Sequence, residues 1–78
     1  MLSLSEIFGW CGVLAILTAY ALLNLNIFHG NDPAYQILNL TGALGICYDA
    51  SRQKNWQPAV LNLIWALIAM SALIRPLF

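Results

Sequence analysis

The chain has 78 residues, 62% hydrophobic and only 8% charged, with a formal net charge of zero. Soluble domains run nearer half apolar and a quarter charged, and a domain this small has little interior in which to hide apolar surface. The composition therefore excludes a soluble globular domain and points to lipid as the solvent of the chain.

The charges stand at the edges of apolar runs. Glu6 precedes the first run, Asp32 lies in the first polar break, Asp49, Arg52 and Lys54 surround the second, and Arg75 comes near the end. The stretches 7–25, 33–48 and 56–74 contain no Asp, Glu, Lys or Arg. A helix needs about 20 apolar residues to cross the hydrocarbon core. The expected architecture is all-α integral membrane, a single domain over 1–78, with three transmembrane helices at about 5–25, 33–50 and 58–75 and short loops. The second run needs Asp49 and Ala50 to complete its last turn.

The first helix opens with "SLSE", in which Ser3 and Glu6 have the spacing of a capping box. No basic residue precedes this run, and its apolar core is longer than that of a signal peptide, so it reads as a retained span. The first break, "NIFHGNDP", offers Gly30 and Asn31 for a turn and Asp32–Pro33 as a helix start. In the second break, "SRQKNWQP", Pro58 marks the next start, and Pro76 is expected to end the third helix. Loops this short make neighbouring helices antiparallel and leave no room for a soluble domain.

Arg52 and Lys54 share one side with the N-terminus, while Arg75 stands alone on the other. Two basic residues against one place the N-terminus in the cytoplasm. Trp10, Tyr48 and Trp56 near one face, and Tyr20, Phe28, Tyr35 and Phe78 near the other, have the placement of aromatic belts. Cys11 and Cys47 both fall inside spans and read as reduced, packed thiols.

Small residues recur along each helix: Gly9, Gly12, Ala15 and Ala19; Gly42, Ala43 and Gly45; Ala66, Ala69 and Ala72. Such residues let helix backbones approach closely. Three helices cannot occupy every such face internally, so a homodimer or higher oligomer is expected.

The polar residues inside the spans are amides and aromatics. "ILNLTGAL" at 37–44 and "VLNLIWAL" at 60–67 place Asn39 and Asn62 in similar surroundings. Asn39 lies about 9 Å from the start of its helix and Asn62 about 6 Å from the opposite face, at 1.5 Å per residue. Antiparallel helices put them in opposite leaflets. Asn39 is expected to hydrogen-bond toward Tyr20 or Asn24 of the first helix, with Tyr35 one turn away. Asn62 is followed at i+3 by Trp65, which sits deeper than a belt tryptophan and whose indole N–H wants a partner. Together they form an amide-plus-indole face that a neutral polyol could use, or a helix–helix contact. Asp49 stands three residues before Arg52, the spacing of an ion pair.

No nucleophile–base pair, metal-ligand spacing, phosphate loop or basic nucleic-acid patch is present in the sequence. The chain is expected not to be an enzyme and to need no cofactor or metal. The expected partners are the bilayer, further copies of the chain and a small neutral solute, with no nucleic acid.

The pattern "GWCGVLAILTAYALL … AYQILNLTGALG … WQPAVLNLIWALIAMSALI" resembles a family of very short, functionally uncharacterised bacterial membrane proteins. That resemblance implies three spans in a bacterial inner membrane. More distantly, the chain resembles the SemiSWEETs of the PQ-loop superfamily, three-helix half-transporters that dimerise in parallel around a sugar path. This resemblance implies a substrate role for Asn62, matching an Asn of the third helix, and for Tyr48, the nearest aromatic to a Trp late in the second. Trp65 joins them from the residue reading. The Pro-Gln pair of that family's first helix is absent, since residues 20–24 read "YALLN". Two functions follow as expectations. One is a half-transporter that dimerises to pass a small neutral solute such as a sugar. The other is a structural or regulatory membrane protein that binds a larger partner through its Gly/Ala faces.

Overall fold

The computed structural model describes residues 1–75, so the expected roles of Pro76 and Phe78 lie outside the described residues. Three helices follow one another: α1 (Leu4–Asn24), α2 (Pro33–Arg52) and α3 (Trp56–Ile74). Each begins within two residues of its expected start.

The ends have local causes. At α1 the capping box forms, with Glu6 N donating to Ser3 Oγ at 3.3 Å and Ser3 N donating to Glu6 Oε1 at 3.1 Å. Asn26 takes a left-handed φ of 63° and closes the helix. Its N–H reaches Leu23 O while Ile27 N reaches Leu22 O, the paired bonds of a Schellman end. Lys54, with φ 57°, ends α2 in the same way, its N–H reaching Ser51 O while Asn55 N reaches Ala50 O. Asp32 is the N-cap of α2 with Pro33 behind it, but its carboxylate turns back to accept from His29 N at 2.7 Å. Helix α3 starts ahead of Pro58, which then stands in the first turn, where a missing N–H costs no intrahelical bond.

Helices α1 and α3 are long and apolar enough to cross a membrane; α2, which carries Gln36, Asn39 and Asp49, is not. Of the three expected spans, two therefore meet that criterion. Helix α2 is the middle element. It packs against both neighbours, while no Cα of α1 comes within 8 Å of a Cα of α3.

The two seams consume the small residues. On the α1 side, a β-carbon on Gly12 would strike Gly42 O and one on Gly45 would lie 2.6 Å from Phe8 O, so the backbones meet directly. On the α3 side, Ala59, Asn62, Ala66 and Ala69 form the buried stripe. The Gly and Ala stripes read from the sequence are thus largely occupied within one protomer. Cys47 is half-buried, whereas Cys11 is exposed, at the edge of the α1–α2 seam beside Thr41, Gly42 and Gly45. Both thiols are free.

Candidate functional site: a polar trough along α2

Both neighbours pack on the same side of α2. Its opposite stripe, Ile37, Thr41, Leu44 and Tyr48, is exposed. Between the two seams α2 presents Tyr35, Asn39, Ile46, Asp49 and Gln53, whose spacings of four, seven, three and four hold one helical face. Because α1 and α3 do not meet above it, this face is the floor of an open trough.

The trough has two clefts. At one end about 340 Å³ is lined by Glu6, Gly9, Trp10, Val13, Ile46, Asp49 and Gln53. Asp49 stands over Gly9, where a β-carbon would lie 2.5 Å from its Oδ2, and accepts from Gln53 Nε2 at 2.8 Å. The expected Asp49–Arg52 ion pair is not formed among the described residues; the neutral Gln53, one turn on and on the same face of α2, takes the carboxylate instead. Toward the other end about 210 Å³ is lined by Tyr35, Gln36, Asn39, Trp65, Ile68 and Ala69.

The second cleft changes the roles of the two asparagines. Trp65 Nε1 donates to Asn39 Oδ1 at 3.4 Å, across the α2–α3 seam. Asn39 is 6% exposed and its Nδ2 donates to Tyr35 O at 3.1 Å. The expected bond from Asn39 to α1 is replaced by this one because residue 39 faces α3. Asn24 donates to Tyr20 O within its own helix. Asn62 is 9% exposed among alanines and donates to Pro58 O at 2.8 Å. It is a packing residue of the seam and not the partner of Trp65.

Tyr48 is set apart from this cleft. It lies on the back of α2, edge-on to Phe8 with ring centroids 5.9 Å apart. The three residues read as substrate-binding, Asn62, Trp65 and Tyr48, are therefore not gathered in one protomer. Tyr35 and Trp65 do meet in one cleft, together with Asn39. Sequence reading passed over Gln36, Gln53 and Trp10 as lining residues. Gln53 could have been found by tracing the helical face through Tyr35 and Asn39 to Asp49; Gln36, one residue off that face, and Trp10 required the packing.

A family match covers residues 5–78. The chain belongs to this uncharacterised family. No curated protein and no solved structure matches it. The family fixes no activity, so the trough is the chemistry on which a function can be argued.

Proposed function

We propose that the protein is a three-span membrane protein and one half of a transporter, which passes a small neutral solute between two copies of the chain. The observation that carries this reading is the open trough, with Tyr35, Asp49 and Gln53 on a floor that α1 and α3 leave partly uncovered and Asn39 buried beside Trp65 at its edge. Polar groups are costly in hydrocarbon unless covered or wet. A second copy laid over the trough covers them and turns two half-walls into an enclosed path. Helix α2, too polar to span alone, is then carried through the bilayer of a bacterial inner membrane by its two apolar neighbours.

A neutral solute suits the second cleft, whose polar groups are amides, a phenol and an indole. The Trp65–Asn39 bond of 3.4 Å is longer than the usual N–H···O range of about 2.7–3.2 Å, so a solute hydroxyl can replace either partner. Trp65 is 46% exposed and offers its ring for stacking on an apolar sugar face. The alternative, docking of a larger partner through Gly/Ala faces, has less support because those faces lie against α2.

Flux of a panel of sugars and neutral metabolites into proteoliposomes tests the reading. Transport of at least one solute is expected, with Asn39→Leu and Trp65→Leu each reducing it at least tenfold. Absence of flux for every solute, or full flux in both variants, would overturn the proposal.

A further inference from the structure

The charges that line the clefts of the trough are divided by end, whereas Arg52 and Lys54 at one end and Asp32 at the other stand outside those clefts. Glu6 and Asp49 line one end. At the other, a depression of about 470 Å³ is lined by Gly30, Asn31, Gln36, Ile68, Ala72 and Arg75. Trp65, Ile68, Ala72 and Arg75 follow at spacings of three, four and three, so Arg75 continues the α3 wall of the trough. Because the chain makes three antiparallel passes, the start of α1 and the end of α3, and with them Glu6 and Arg75, lie at opposite ends of the protomer.

Two arrangements of trough on trough differ sharply. In a parallel pair, Glu6 and Asp49 of one copy face the same carboxylates of the other, and Arg75 faces Arg75. In an inverted pair, Arg75 of each copy comes to the level of Glu6 and Asp49 of the other, once at each end of the two-fold interface. Like charges brought together in a partly dry interface repel strongly, and complementary ones select the register.

Topology permits the inverted pair. Lysine and arginine bias sets orientation, and here it is Arg52 and Lys54 against Arg75, a difference of one residue. We infer that the chain inserts in both orientations and that its partner is a second, inverted copy of itself, seated trough to trough as an antiparallel dimer. This rests on the reading above that two copies close the trough, but not on any solute passing through it. It departs from the parallel assembly that the SemiSWEET resemblance implies.

The test uses the full chain in native membranes, with Cys11→Ser and Cys47→Ser removing the natural thiols. In Gln53→Cys and Ala72→Cys single variants, which leave every charge in place, a copper–phenanthroline oxidant should give no covalent dimer, while the double variant should give one. Dimers from both single variants would overturn the inverted pair, as would no dimer from any. A second measurement is independent of packing: Asn31→Cys and Asn55→Cys, one in each loop and both neutral replacements, are labelled in intact spheroplasts with a membrane-impermeant maleimide. Each should label in about half of the molecules. Full labelling of one loop and none of the other would also overturn it. Cross-linking of the inverted pair without flux would defeat the transport reading alone, whereas flux with parallel cross-links would defeat this inference alone.

Discussion

Two residues with the same composition label have opposite physical roles. Gly12 is in backbone contact with α2: its added β-carbon strikes Gly42 O, and one on Gly42 would lie 2.8 Å from Gly12 O. A carbonyl fixed in a helix cannot move aside as a flexible side chain does. Gly12→Ala should therefore push α1 from α2 and cost about 1–3 kcal/mol, the usual range for overpacking, read as a lower midpoint in detergent-titrated unfolding. Gly30 has open space around its β-position and no left-handed φ. Gly30→Ala should stay within about 0.5 kcal/mol, as surface changes do. Equal losses in both would show that the α1–α2 seam is not backbone-limited. Lys54 presents the converse case. Its φ of 57° is strained for a residue with a β-carbon, while Asn26, the matching end of α1, is a residue that tolerates this region. Lys54→Gly should raise the unfolding midpoint by an amount worth up to about 1 kcal/mol, and Asn26→Gly by less. A fall in midpoint for Lys54→Gly would mean that the lysine side chain contributes more than its backbone costs.

At the scale of the element, α2 explains both what the sequence disclosed and what it concealed. Uncharged runs, the capping box and the prolines located all three helices to within two residues at their starts, because these signals act inside one turn. Which helix stands in the middle is not a local property. A polar helix is tolerated between two apolar ones, so the low apolarity of α2 was itself the sign of its central place. The partner of Trp65 was concealed for the same reason. An i, i+3 neighbour such as Asn62 is visible in the sequence, whereas Asn39 is 26 residues away and depends on the packing of α2 against α3. A double-mutant cycle with Asn39→Ala and Trp65→Phe should show a coupling near or below the 0.6 kcal/mol average for buried interhelical bonds in a membrane protein, given the 3.4 Å length. The same cycle between Asn62→Ala and Trp65→Phe should show none within error. A larger coupling for Asn62 would restore it as the indole's partner.

For the whole molecule, the two faces of α2 should meet different surroundings. The extents of 38 × 27 × 17 Å describe a thin body, and its back carries Ile37, Leu44 and Tyr48 in the open. In the proposed membrane assembly, with a second copy over the trough, the back faces acyl chains while Trp65 does not. Trp65 is 46% exposed in the protomer, enough for a monomer in a bilayer to leave it open to lipid. A protein with Trp65 as its only tryptophan, made by Trp10→Phe and Trp56→Phe, should be quenched weakly by lipids brominated in mid-chain. Moving the probe to the back, by Leu44→Trp with Trp65→Phe added, should give strong quenching at similar depth. Dilution in detergent until the dimer dissociates, followed by brominated detergent, should make the two positions alike. Equal quenching already in the bilayer would mean that lipid fills the trough, and the polar floor of α2 would then have to be satisfied within one chain. The contrast between the faces therefore depends on assembly, which no single helix and no single side chain determines.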